Sequence, residues 1–171
     1  MKKIIVLNIL TLLCISVNVS SQTCQSESDI PSTTPNSRFT DNGNGTISDN
    51  GTGLMWQKCQ LGLSGSSCTT GSATTHTWQQ ALDEADGSSL AVYNDWRLPN
   101  HKELLSIVEQ RCYNPSINTT YFPNTSTSLF WSASPGADST GSAWSVDFGS
   151  GYSYNYNRSS NRYVRLVRFG Q

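Results

Sequence analysis

The chain has 171 residues, a net charge of −1 and only 13% charged residues. Near-neutrality argues against a nucleic-acid partner for the surface as a whole. The length fits one ordinary domain with room for a real core.

Met1, Lys2 and Lys3 give a positive start, residues 4–19 are mostly apolar, and Val19, Ser20 and Ser21 precede Gln22. This pattern predicts a signal peptide over 1–21 and an exported chain, whether secreted, surface-held or periplasmic. Its apolar run is short for a membrane span and no later run approaches one, so the mature chain is expected to have none. Loss of Lys2 and Lys3 takes the charge from −1 to −3. Leu13 before Cys14 and Thr23 before Cys24 are poor lipoprotein signals.

Residues 22–37 are rich in Ser, Thr, Pro and Gln and read as an extended N-terminal tail, with the folded domain expected over 38–171. Two turn signals, DNGNGT at 41–46 and DNGTG at 49–53, separate short strands around Phe39, Ile47 and 54–57. The first signal places glycine where a helix-bounded calcium loop needs oxygen ligands, so it predicts a hairpin turn.

Four cysteines remain after Cys14 leaves with the signal: Cys24, Cys59, Cys68 and Cys112. An even number in an exported chain predicts two disulfides. Of the three possible pairings, Cys59–Cys68 with Cys24–Cys112 is favoured: the first closes a flexible loop, and the second ties the tail to the middle of the domain. A metal site on Cys59, Cys68 and His76 fits no zinc spacing, and no metal is expected.

A helix is predicted from Trp78 to Ala85, capped by Thr77. A second follows Leu98-Pro99: Asn100 caps it, Glu103 takes the capping-box position, and Leu104, Leu105, Ile107 and Val108 make the apolar stripe. In 95–99, Trp96 and Leu98 are expected as core anchors and Arg97 as the ion-pair partner of a nearby acid. Trp56, Trp78, Trp131 and Trp144 are likewise expected in the core.

After Pro115 the chain turns to strands, at 129–132, 143–148, 152–157 and 163–168, with Gly149-Ser150-Gly151 joining the second and third. Helices early and antiparallel strands late predict an α+β domain.

His76 and His101 read as solvated residues near helix caps. No nucleophile elbow, zinc-binding histidine pair or phosphate-cradling glycine loop occurs, and no two of Asp95, Glu103, Asp138 and Asp147 stand out as a glycosidase pair. The expectation is a binding protein rather than an enzyme. The strongest binding signal is late: Tyr152, Tyr154 and Tyr156 alternate with Ser153, Asn155 and Asn157, and Arg158 and Arg162 follow. Tyrosine gives large contact area at low entropic cost, asparagine gives hydrogen bonds, and arginine grips sulfate or carboxylate through two donors. Ligand contacts are expected from Tyr152, Tyr154, Asn155, Tyr156, Asn157, Arg158 and Arg162, on whichever strand face looks outward. Arg165 and Arg168 are assigned to structural ion pairs.

The segments RFTDNGNGTISDNGTGLMWQKC, TWQQAL, DWRLPNHKELLSIVE, NPSINTTYFPNT, LFWSASP and YVRLVR, in this order between Arg38 and Arg168, resemble the C-terminal domain of the collagen-like adhesin of Legionella. The resemblance to this Lcl C-terminal domain family implies a C-type-lectin-like fold: two helices packed on a mainly antiparallel, twisted sheet with long loops. It also implies an adhesin-like module recognising carbohydrate, including sulfated glycan, or a cell-surface protein. No Gly-X-Y stalk precedes the domain, so trimerisation through one is not implied. The calcium-sugar tripeptides of typical C-type lectins are missing, and no cysteine follows Cys112 to support formylglycine-generating chemistry; no cofactor is expected. The alternatives are a part of a surface assembly, including a lectin-like scaffold with diversified late strands, and an unrecognised hydrolase.

Overall fold

The computed structural model describes residues 21–137 and 139–170; the expected signal peptide lies, but for Ser21, outside them. Two helices and four antiparallel sheets make up the domain, as the early-helix, late-strand pattern predicts.

Strand β1 (Thr23–Cys24) pairs with a later strand, and a 3-10 turn (Asn36–Arg38) leads into β2 (Phe39–Asp41). Strands β3 (Thr46–Asp49) and β4 (Leu54–Gln57) follow through the two predicted turns. Gly43, Gly45 and Gly53 have positive φ, the conformation those Asn-Gly and Thr-Gly steps are suited to. A small hairpin, β5 (Leu63–Ser64) and β6 (Thr70–Gly71), straddles Cys68, with β5 inside the Cys59–Cys68 loop and β6 just beyond it.

Helix α1 (Trp78–Asp86) carries the expected Thr77 cap, completed as a capping box by Gln80, and buries Ala81 and Ala85. A 3-10 turn (Leu90–Val92) precedes α2 (His101–Ser106), whose Asn100–Glu103 capping box also forms as predicted. This helix is shorter than its apolar stripe. Ile107 leaves the helical region and Val108 bridges Ile117, so the stripe's β-branched end extends the core outside the helix.

Strand β7 (Cys112–Tyr113) is the partner of β1. The long strands β8 (Leu129–Pro135), β9 (Ser142–Asp147) and β10 (Ser153–Asn157) form a three-stranded meander, with a bulge in β8 between Trp131 and Pro135. The last strand, β11 (Val167–Phe169), joins β4 in a four-stranded sheet of order β11-β4-β3-β2.

The predicted closing strand at 163–168 is therefore only partly a strand. Arg162 bridges His76, Tyr163 runs parallel to Phe130 of the three-stranded sheet, and only from Val167 does the chain pair with β4. Val164, Arg165, Leu166 and Val167 are all fully buried, which no strand with one wet face allows. The segment crosses from one sheet to the other through the middle of the molecule.

Two apolar clusters flank this crossing. One gathers Ile47, Trp56, Leu104, Ile107, Phe122, Phe130 and Phe148; the other gathers Trp96, Leu98, Ala81, Trp131, Ala143 and Leu166. Each fully buried large side chain contributes roughly 1.5–3 kcal/mol. Trp56, Trp96 and Trp131 are core residues as expected, whereas Trp78 and Trp144 are half-buried.

Both predicted disulfides, Cys59–Cys68 and Cys24–Cys112, form. With both thiols of Cys59 and Cys68 taken, the metal alternative on that pair and His76 is excluded. The segment 22–37, read as an extended tail, is strapped onto the domain: Thr34 is fully buried, and Gln22 donates to the carbonyls of Pro115 and Ile117, both at 2.7 Å. No helix among the described residues is long and apolar enough to cross a membrane.

Candidate ligand-binding face

Strand β10 lies at the edge of its sheet, paired on one side only with β9. Its register sets Tyr154 opposite Ser145 and Tyr156 opposite Ala143, so both tyrosines share the face that carries Trp131. Their rings are 6.1 Å apart. Tyr154 is 42% exposed, while Tyr156 is half-buried against the cluster around Trp131. The tyrosine face thus looks outward at one end and packs inward at the other. Tyr152 sits just before the strand and is 68% exposed.

The arginines complete this face. The Arg162 guanidinium lies 4.4 Å from the centre of the Tyr156 ring and 6.0 Å from that of Trp131. Arg158 lies 4.1 Å from the centre of the Trp78 ring, with Nε donating to the carbonyl of Ser142 at 3.0 Å. The rings are themselves fixed: Trp78 Nε1 donates to Ser132 O and Trp131 Nε1 to His76 O, both at 2.9 Å. Main-chain bonds between His76 and Arg162, and from Trp78 to Arg158, bind the approach to α1 against this segment. Among the described residues no carboxylate lies within ion-pair distance of Arg158 or Arg162. Ring stacking orients each guanidinium; Arg158 commits Nε to Ser142 O and Arg162 commits Nη1 to Asn161 O at 2.7 Å, so it is the remaining terminal N–H groups that can meet a ligand.

The asparagines do different work. Asn155 is on the opposite face beside Trp144, its amide pressed against Gly136 so closely that a Cβ there would come within 2.5 Å. Asn157 accepts from the amide and hydroxyl of Ser159, both at 2.9 Å, and so closes the turn after β10. The seven expected contacts therefore divide: Tyr154, Tyr156, Arg158 and Arg162 come together, Tyr152 is exposed beside them, and Asn155 and Asn157 point elsewhere. Sequence reasoning missed Trp78, whose start-of-helix position hid its role under Arg158.

Most other ionisable groups are engaged structurally. Arg97 holds Glu103 through two bonds of 2.7 Å, as predicted for an acid partner. Burial pushes the Glu103 carboxyl up, but the Arg97 hydrogen bond and the Asn100 amide outweigh it and hold the group below its ordinary range. Arg168 clasps Asp95 at 2.7 and 3.1 Å and lies 3.8 Å from the Tyr93 ring centre. Arg97 and Val167 exchange main-chain bonds of 2.9 Å, so 95–103 and 165–169 form one interlocked unit. Arg168 is thus the structural ion pair expected, but Arg165 is not. It is fully buried with no acid beside it among the described residues and donates instead to the carbonyls of Gln57 and Lys58 and to Thr125 Oγ1. His76 lies 4.0 Å from Glu84. His101 is not solvated: its ring stacks on Trp144 at 4.7 Å, and burial pushes its pKa down.

The sequence model of the Lcl C-terminal domain matches residues 45–168. That span contains both sheets' long strands, both helices and the whole arginine–tyrosine face. No match is found among curated proteins.

Proposed function

The chain belongs to the Lcl C-terminal domain family, and from that premise we propose that it is an exported, adhesin-like binding module, C-type-lectin-like in fold. Its ligand is a carbohydrate bearing sulfate or carboxylate groups, taken by Tyr154, Tyr156, Arg158 and Arg162, with Tyr152 at the rim. The observation that carries this reading is the pair of guanidinium groups, each stacked on an aromatic ring and neither, among the described residues, facing an acid. Such groups supply bidentate donors to an anionic oxygen pair, and the tyrosine rings supply faces for a sugar's apolar side. Two disulfides support an oxidising destination outside the cytosol. The engagement of Asp49, Asp95, Glu103 and Glu109 in structural contacts supports binding rather than catalysis.

A glycan array read at two salt concentrations tests it. Binding to sulfated glycans that weakens as salt rises is the expected result, because the contacts are partly exposed charges. Unchanged glycan binding by the Arg158→Ala, Arg162→Ala double variant would overturn the assignment. A second reading, a protein-binding part of a surface assembly, is favoured by the exposed rings of Tyr152 and Tyr154. It predicts salt-insensitive binding to a protein partner and none to the array.

A further inference from the structure

A cavity of about 440 Å³ opens on a part of the molecule that neither the tyrosines of β10 nor Arg158 and Arg162 line. Its size is within the roughly 300–1,000 Å³ of small-molecule sites. One wall is the turn at 41–45, the floor is the end of β4 and the residues after it, and the far wall is the loop closed by Cys59–Cys68. Leu90, from the 3-10 turn before α2, closes one side.

The walls are preorganised. The disulfide fixes the loop at its base, and Asn124 Nδ2 donates to Cys68 O at 2.8 Å. Leu61 N donates to Val164 O at 3.0 Å, and Lys58 N to Gly45 O at 3.0 Å, tying floor, loop and turn together. Gly62 passes so close to the chain at Ser72 that a Cβ would come within 2.1 Å of its carbonyl oxygen. A site fixed before its ligand arrives binds at lower ordering cost.

The chemistry of the lining is dipolar. The Lys58 side chain is only 10% exposed, and its ammonium meets Asp41 Oδ2 at 2.7 Å. Among the described residues that carboxylate is the one acceptor it reaches, so two of its three donor positions lack a protein acceptor. Asp41 is 37% exposed at its side chain, so it can accept from a ligand as well. Leu61, Leu63 and Leu90 supply the apolar remainder. The two charges cancel, so this cavity does not suit a polyanion, unlike the arginine–tyrosine face.

We propose that this cavity is a second binding site, for a small zwitterion with an aliphatic arm, of the apolar α-amino-acid class. The ligand carboxylate takes the open donors of Lys58, its ammonium lies on Asp41, and its side chain lies among the three leucines. This site is independent of the glycan reading. Chemical-shift titration of the disulfide-bonded protein with L-leucine, leucinamide and isocaproate tests it. Leucine is expected to give saturable shifts confined to 41–45 and 57–66, and each singly charged analogue to bind at least about tenfold more weakly, the loss of one charge-assisted bond. Lys58→Met and Asp41→Asn are each expected to weaken leucine binding by a similar factor, and Leu63→Ser, on the exposed loop, checks the aliphatic contact without touching the ion pair. The proposal fails if leucine gives no saturable shifts up to about 10 mM, a weak limit for so small a ligand. It also fails if an analogue binds as tightly, or if any of these variants that retains cooperative unfolding binds leucine as the parent does.

Discussion

Arg165 is a positive charge in the core with no negative partner among the described residues, and hydrogen bonds to carbonyls and a hydroxyl make it tolerable there. Burial pushes its guanidinium down to about 9, so it is still charged at neutral pH. The Phe122 ring, 4.9 Å from the guanidinium carbon, adds a cation–π contact. Removing the side chain strands the carbonyls of Gln57 and Lys58 and opens a cavity between the sheets. Arg165→Ala is expected to cost about 3 kcal/mol or more in urea unfolding. Arg165→Lys should recover only part of this, since one ammonium cannot reproduce the planar fork. A cost below about 1 kcal/mol for the alanine variant would mean that the crossing segment does not depend on this residue.

At the scale of elements, the clasp between 95–103 and β11 is built from unequal parts. The Arg168 side chain is 4% exposed, whereas that of Asp95 is 54% exposed. Arg168→Ala removes the ion pair, the stacking on Tyr93 and a contact with Met55 Sδ at 3.6 Å, and should cost about 2 kcal/mol. Asp95→Asn leaves the stacking in place and should cost clearly less than Arg168→Ala, as the loss of an exposed partner does. Thermal unfolding of the two variants and their double mutant checks this order. Much at this scale was legible from local chemistry: both helix caps, the Asn-Gly turns, the tryptophan and leucine of 95–99, and the cysteine pairs all depend on nearby residues or simple counting. The closing strand was not, because alternation along 163–168 cannot reveal that the segment leaves one sheet for another. The proposed binding face was half legible for the same reason. Period two placed Tyr154 and Tyr156 together, but Arg158 over Trp78 depends on a contact between segments 80 residues apart.

The molecule as a whole is closed by its N-terminal strap. Cys24–Cys112 fixes one end across 88 residues, and a loop of that length is worth about 4.5 kcal/mol in the chain-entropy model, against about 2–3 kcal/mol for the nine-residue Cys59–Cys68 loop. The other fixing is Glu109, 3% exposed, whose carboxylate accepts from the hydroxyls of Ser32 and Thr34 at 2.5 and 2.8 Å and from the amides of Thr33 and Thr34. Burial alone would push this carboxyl up, but the donors of the strap outweigh it and hold it at about 2. Because the folded pKa lies below the ordinary glutamate value, the stabilisation is complete above about pH 4.5 and is lost as pH falls through about 2. The shift corresponds to about 2 kcal/mol after allowance for solvent around the site. Glu109→Gln keeps the shape but sets an amide donor against hydroxyl and amide donors. It should therefore cost about 2 kcal/mol at pH 7 and much less near pH 2, where the parent carboxyl is itself about half protonated. Denaturant unfolding at the two pH values measures that gap directly. Hydrogen exchange at Thr33 and Thr34 locates it, since these amides should open with the strap before the two sheets separate. An equal gap at both pH values would show that the strap is held by shape and the disulfide alone.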